Sequence, residues 1–166
     1  MDTGPIIHQE EIILNPNENL ETLHDKLSQL GAKILPKVLL KYINKEIEEK
    51  EQDNDKASYI KLTKKEDGLI DWSKSALEIE RQIRAYNPWP GTYTKYNNKT
   101  LKIIKANIIL DQNHKIGEVF IHNNKLAIKT GQDALLILIL QIESKQKMTS
   151  EEFINGHKEI IGKILQ

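Results

Sequence analysis

Hydrophobic positions along the chain change their period near residue 90. Before that point Leu20, Leu23, Leu27 and Leu30 recur at spacings of three and four, and Ile34, Leu35, Val38, Leu39, Tyr42 and Ile43 extend the same stripe. Such spacing predicts an amphipathic helix. Asn17 or Asn19 is its expected N-cap, with Glu18 and Glu21 suited to the first turn. Gly31 is expected to end or interrupt the helix, and Pro36 to break it or open a second one. The isoleucine-rich stretch 6–14 ahead of it reads as a strand closed by Asn15-Pro16-Asn17. One strand and one or two strongly amphipathic helices cannot bury that much leucine and isoleucine among themselves. The expectation is that the chain begins inside a domain whose sheet lies elsewhere.

Residues 45–55 are charged, lack large apolar side chains after Ile47, and read as a helix end running into a linker. Ser75-Ala76-Leu77-Glu78 has the spacing of a capping box, and Ala76, Ile79, Ile83 and Tyr86 give a helical stripe that Pro88 and Pro90 stop. The period then falls to two. Strands are expected at 92–96, 101–110, 117–122, 125–130 and 135–142, with turns at Asn97-Asn98, Gln112-Asn113, Asn123-Asn124 and Gly131-Gln132-Asp133. Five or six short strands with tight turns suggest a small closed or nearly closed barrel. Thr149 to Glu152 forms a second capping box, expected to open a final helix with Phe153, Ile154, Ile160, Ile161 and Ile164 on its apolar side.

Composition narrows the classes. The 166 residues contain no cysteine, which excludes disulfides and thiolate metal sites and fits a reducing compartment. The longest purely apolar run, 134–140, falls far below the roughly 20 residues of a membrane span. No signal peptide is visible at Met1. A cytoplasmic location is expected, without a membrane partner. Net charge is zero, but residues 1–80 hold 11 Lys+Arg against 17 Asp+Glu, whereas residues 81–166 hold 13 against 7. The basic second half is either a nucleic-acid surface or a lysine-coated face kept for solubility. His8, His24, His114 and His122 show no metal-ligand spacing, and no metal is expected.

Several short segments occur in a telling order. Asp2-Thr3-Gly4-Pro5 puts a carboxylate on a tight turn. Leu23-His24-Asp25-Lys26-Leu27, Leu30-Gly31-Ala32 and Ala57-Ser58-Tyr59 follow, then Lys65-Glu66-Asp67-Gly68-Leu69-Ile70-Asp71-Trp72. Ile83-Arg84-Ala85-Tyr86-Asn87-Pro88-Trp89-Pro90-Gly91 sets a rigid aromatic between two prolines. Lys145-Gln146-Lys147-Met148, Glu152-Phe153 and Asn155-Gly156 close the series. Together they resemble methionyl-tRNA formyltransferase, and the tryptophan-proline segment is the most specific element.

That resemblance implies a fold and an activity. The fold is α+β: a remnant strand and helices of a Rossmann-like formyltransferase domain over 1–50, a linker over 51–63, and a small OB-like β barrel with flanking helices over 64–166. Members move a formyl group from 10-formyltetrahydrofolate to the amino group of methionine on initiator tRNA. Their catalytic set is an asparagine, a histidine and an aspartate, and Asp2 matches the aspartate. It would orient an imidazolium and organise a water for proton relay. The family's Asn-x-His and its folate-site segment lie ahead of that aspartate. The chain alone is therefore expected neither to bind the folate co-substrate nor to turn over. Asn155-Gly156-His157 has the Asn-x-His spacing but sits at the far end, where the geometry of a catalytic set is not available.

The resemblance also implies initiator methionyl-tRNA as partner, together with a missing N-terminal half or self-association through the front module. Candidate RNA contacts are Arg81, Arg84, Lys95, Lys99, Lys102, Lys105, Lys145 and Lys147, acting mostly on phosphates. Trp72 and Trp89 are read as packing residues rather than base-stacking platforms. Two other readings stay open: a different folate-dependent formyltransferase, such as one acting on an amino sugar, and a standalone RNA-binding or partner-binding module.

Overall fold

The computed structural model describes residues 3–166, so Asp2 lies outside the described residues. The chain divides into two compact units, Met1–Leu62 and Thr63–Gln166.

In the first unit one long helix, α1, runs over Leu20–Ile43. Asn19 is its N-cap: the Asn19 side chain accepts from the Thr22 amide at 2.9 Å, and Thr22 Oγ1 accepts in return from the Asn19 amide at 3.1 Å. Two donors left over by the first turn are thereby satisfied. Glu18 pairs with Lys26, and this hydrogen bond is the largest influence holding the Glu18 carboxyl below its ordinary range. The helix does not stop at Gly31 or break at Pro36. A glycine costs only about 1 kcal/mol against alanine in a helix, and both residues are flanked by leucine, lysine and alanine, which favour helix. Leu23, Leu30 and Ile34 are half-buried and Val38 is buried, whereas Leu35, Leu40 and Ile43 stay exposed.

The strand expected over 6–14 does not form. Only Ile6 pairs, exchanging backbone hydrogen bonds with Lys50 at 2.8 and 3.0 Å. A strand needs a neighbour along its length for its amides and carbonyls, and the described residues of this unit supply a single bridge. Ile13 is accordingly 91% exposed.

The second unit is built on a six-stranded antiparallel sheet: β1 (Thr92–Tyr96), β2 (Lys99–Ile109), β3 (Val119–His122), β4 (Lys125–Lys129), β5 (Ala134–Ile142) and β6 (Met148–Thr149). The spatial order is β1-β2-β5-β4-β3, with β6 beside β5. Two hairpins turn on asparagine pairs of matching geometry, with φ of +49° and +61° at both Asn97-Asn98 and Asn123-Asn124. Two consecutive left-handed residues give the turn whose twist matches that of the strands it joins, and asparagine tolerates the region better than other side chains.

Helix α2 (Ala76–Tyr86) is closed by the capping box of Ser75 and Glu78 and lays Ala76, Ile79 and Ile83 into the core. There they join Leu101, Leu135, Ile137 and Leu140 from the sheet. The final helix is shorter than its apolar pattern suggests. Helix α3 covers only Ser150–Gly156, followed by a single 3-10 turn at Lys158–Ile160. After a turn at Ile161 and Gly162, residues 163–166 run beside the start of β3 instead. The amides of Val119 and Leu165 donate to the carbonyls of Lys163 and Gly117 at 2.9 Å each, and the Gly162 amide donates to the Val119 carbonyl at 2.7 Å. The tail thus pairs with Val119 at the start of β3 and with Gly117 just ahead of it, and its last residue reaches Thr94 of β1. Tyr96 donates to Glu159 at 2.7 Å; burial first, and then this carboxylate, push its hydroxyl up to about 12.

Among the described residues no helix is long and apolar enough to cross a membrane.

Candidate nucleic-acid interface

The two most specific sequence segments dock against each other in the second unit. Residues 65–72 run beside the start of β1: Leu69 bridges Tyr93, and the Ile70 amide donates to the Tyr93 carbonyl at 2.8 Å. Gln82 of α2 fixes the same segment by donating to the Asp67 carbonyl at 2.9 Å. Gly68 is required by contact, since a Cβ there would sit 2.0 Å from the Gly91 carbonyl oxygen. Gly91 has φ +78°, a left-handed conformation that favours glycine, and its amide donates to the Tyr86 carbonyl at 2.8 Å.

This arrangement fixes the loop that carries Trp89. Pro88 and Pro90 flank the indole, both peptide bonds preceding these prolines are cis, and Pro90 and Gly91 are buried. Trp89 itself is 58% exposed. The expectation that both tryptophans pack inward holds for Trp72 and not for Trp89. Trp72 is 3% exposed, and its indole N–H donates to Thr94 Oγ1 at 3.2 Å. Pro90 and Gly91 on its C-terminal side are taken up by the core, whereas Pro88 and Trp89 stay exposed.

Beside this loop the outer face of the β1–β2 hairpin carries part of the expected cation set. Tyr93 stands opposite Lys102, and Lys95 opposite Thr100. The Lys95 ammonium lies 5.8 Å from the centre of the Tyr93 ring and donates to Thr100 Oγ1 at 3.1 Å. The Lys102 stem passes 3.8 Å from where a Gly91 side chain would begin. Lys102, Thr100, Gln141, Glu143 and Lys65 line a shallow depression of 250 Å³. Glu143 accepts from the Thr100 amide at 2.9 Å; that bond first, with the charges of Lys95 and Lys65, lowers its carboxyl below the ordinary value. Lys65 was not singled out from the sequence as a contact, although it opens the Lys65–Trp72 segment.

The other cations lie elsewhere on the unit. Arg81 and Arg84 are on α2; Arg84 pairs with Glu80 at 2.7 Å, and Arg81 lines a second depression with Asp67, Lys74 and Glu78. Lys99 follows the first asparagine turn, Lys105 sits at a bulge of β2 opposite Ile139, and exposed Lys145 and Lys147 lie between β5 and β6. His157 of the Asn-x-His coincidence stacks on Phe153 with ring centres 4.5 Å apart and lies 3.4 Å from Glu159. Among the described residues there is no cluster of three or more histidine and carboxylate side chains able to hold a metal ion.

A separate charged group closes the loop between β2 and β3. Asp111 binds His114 Nδ1 at 2.8 Å, and Lys129 lies 3.6 Å away, with the Lys129 and Asp111 side chains nearly buried. His114 in turn stacks on Phe120 at 3.7 Å.

Comparison with known proteins places this geometry. Residues 62–158, more than half of the chain, match the family described as "Formyl transferase, C-terminal domain". The chain is 37% identical over 167 aligned residues to the methionyl-tRNA formyltransferase of Caldanaerobacter subterraneus subsp. tengcongensis, covering 100% of this chain and 54% of that protein. It is 40% identical over 158 residues to that of Rickettsia bellii, covering 95% and 51%. The chain spans about half the length of the curated relatives it matches. Its fold is similar to that of HypX from Aquifex aeolicus in complex with tetrahydrofolic acid, with a TM-score of 0.68 and 16% identity over 96% of this chain and 29% of that one. It is also similar to an N-formyltransferase from Helicobacter canadensis, with a TM-score of 0.60 and 23% identity over 82% and 51%. At such identities the likeness is one of fold. The chain belongs to the formyl transferase family, matching its C-terminal domain.

Proposed function

We propose that these residues form the tRNA-holding part of a methionyl-tRNA formyltransferase, the enzyme that moves a formyl group from 10-formyltetrahydrofolate to methionyl initiator tRNA in the cytoplasm. The observation that carries the reading is sequence identity of 37–40% to enzymes of that name over nearly all of this chain. The amino-sugar alternative has less support, because the Helicobacter canadensis neighbour crystallised with dTDP-3-aminofucose is only 23% identical.

In this reading residues 64–166 are an OB-like barrel, residues 51–63 a linker and residues 1–50 the end of a Rossmann-like catalytic domain. The tail that pairs with the start of β3 and reaches β1 supports a nearly closed barrel. Asp2 is the catalytic carboxylate, which would orient an imidazolium during attack of the amine on the formyl carbon. His157 of the Asn-x-His spacing is engaged with Phe153 and Glu159. These 166 residues hold tRNA, through Lys95, Lys102 and the other candidate cations, without binding the folate or turning over alone.

Titration of initiator tRNA with the 166-residue chain tests this reading. Phosphate contacts release counterions, so affinity should fall steeply between about 50 and 200 mM salt. Absence of binding at low salt, or formylation of methionyl-tRNA by this chain alone, would overturn it.

A further inference from the structure

The exposed indole beside the lysine face has no role in the core. Trp89 is the one large aromatic side chain of residues 63–166 that is exposed, among the described residues. It is held out by prolines on both sides, by the Gly91–Tyr86 backbone bond and by the close approach of Gly68 to Gly91. A ring presented on a fixed backbone loses little entropy when a ligand stacks on it. The other aromatic nearby, Tyr93, is already occupied: Lys95 covers it, and its Cε1 lies 3.3 Å from where a Gly68 side chain would begin.

What surrounds the indole decides what it fits. Lys102 runs along Gly91, two residues from Trp89, and Lys65 and Lys95 lie on the same face. The one carboxylate lining the depression, Glu143, is tied to the Thr100 amide. Lysine is depleted in protein–protein interfaces. An exposed aromatic with ammonium groups beside it is instead the arrangement that takes an unpaired base and its flanking phosphates. We propose that Trp89 stacks on an unpaired base of RNA while Lys102, with Lys95 and Lys65, neutralises the adjoining phosphates. The inference rests on the tRNA-holding reading above and adds to it a preference for a single-stranded end or loop over continuous duplex.

Trp72 is buried, so a change in emission on RNA binding reports Trp89, and Trp89→Phe identifies its share. The experiment titrates the 166-residue chain with a blunt RNA duplex and with the same duplex bearing an unpaired 3′ tail. Tailed RNA should quench the exposed indole and bind more tightly than blunt RNA. Trp89→Ala should weaken tailed binding about 10-fold or more and leave blunt binding unchanged, with Trp89→Phe retaining most of the affinity. Lys102→Gln should lower the slope of log affinity against log salt by about one, and this variant keeps the test open should Trp89→Ala fold poorly. RNA binding without quenching, or with equal affinity for Trp89→Ala, overturns the stacking site and leaves the tRNA-holding reading standing. No binding of either RNA or of initiator tRNA removes both. Protection of Trp89 by self-association, seen by sedimentation without RNA quenching, assigns the indole to a protein interface and overturns the inference.

Discussion

The indole N–H of Trp72 donates to Thr94 Oγ1 at 3.2 Å, and the Thr94 hydroxyl donates onward to the backbone carbonyl of Gln166 at 2.9 Å. Three distant parts of the second unit meet in this relay: the segment ahead of α2, the first strand and the end of the chain. Trp72 and Thr94 are buried, whereas Gln166 is exposed and its carbonyl can turn to water.

Unequal costs follow from that difference in burial. Thr94→Val leaves the Trp72 donor buried without an acceptor and should cost roughly 1–3 kcal/mol. Trp72→Phe removes the donor, loses ring volume and should cost a similar amount. The double variant should cost clearly less than the sum, because no unpaired donor remains in it. Urea unfolding of the four proteins measures this, and strictly additive costs would mean that the hydrogen bond contributes nothing.

The docking of the two family segments makes a sharper demand at one glycine than at its neighbour. A methyl at Gly68 would lie 2.0 Å from the Gly91 carbonyl oxygen, a backbone atom that cannot swing aside. Gly68→Ala should therefore cost about 3 kcal/mol. At Gly91 the nearest atoms would lie 3.7 Å away or farther, so Gly91→Ala bears only the left-handed backbone penalty, about 1–2 kcal/mol. Thermal unfolding should rank Gly68→Ala well below Gly91→Ala, and the reverse order would contradict the docking.

Features resting on neighbours in sequence were legible beforehand. The asparagine pairs marked both hairpins, the Ser75–Glu78 and Thr149–Glu152 boxes marked helix starts, and alternation placed the five longer strands within two residues. Features set by distant partners were not. The 161–166 segment carries helix-like isoleucines, yet its backbone bonds to Gly117 and Val119 hold it out of the helix. Residues 6–14 have strand chemistry without a strand to pair with. β6 is two residues long and exists because Met148 and Thr149 lie against Leu140 and Ile139. In the candidate site, lysine count suggested a surface, but only the register of Tyr93 with Lys102 and of Lys95 with Thr100 showed which lysines share one. The exposure of Trp89 depends on Gly68 reaching Gly91, twenty-three positions away, which no local pattern encodes.

The hairpin turns give a prediction of opposite sign. Asn98 and Asn124 each hold φ +61°, and glycine reaches that region without the Cβ penalty. Asn98→Gly and Asn124→Gly should each stabilise the unit by a few tenths of a kcal/mol up to about 1, the strained asparagine being relieved by more than glycine's extra unfolded entropy. Asn98→Val, β-branched at the same angle, should destabilise by about 1–2 kcal/mol. Melting temperatures of the three variants check this, and a destabilising glycine at both turns would show that the asparagine side chains contribute more than tolerance of φ.

The Asp111 cluster should make stability depend on pH in a defined direction. Burial alone would raise the Asp111 carboxyl, but the hydrogen bonds from the His114 ring and amide and the charges of His114 and Lys129 outweigh it and hold it below the ordinary carboxylate range. A carboxyl whose folded value lies below its unfolded one stabilises the fold above the unfolded value, about 3.9. That contribution is lost as pH falls through the folded value. Asp111→Asn keeps the shape and leaves the nearly buried Lys129 ammonium without a counter-charge. At pH 7 it should cost about 3 kcal/mol. The gap between wild type and variant should hold down to about pH 4 and narrow below it, as the wild-type carboxyl takes up its proton. Denaturant unfolding of both proteins at pH 7, 5 and 3 measures the gap directly. A constant gap across that range would mean that shape rather than charge holds the β2–β3 loop.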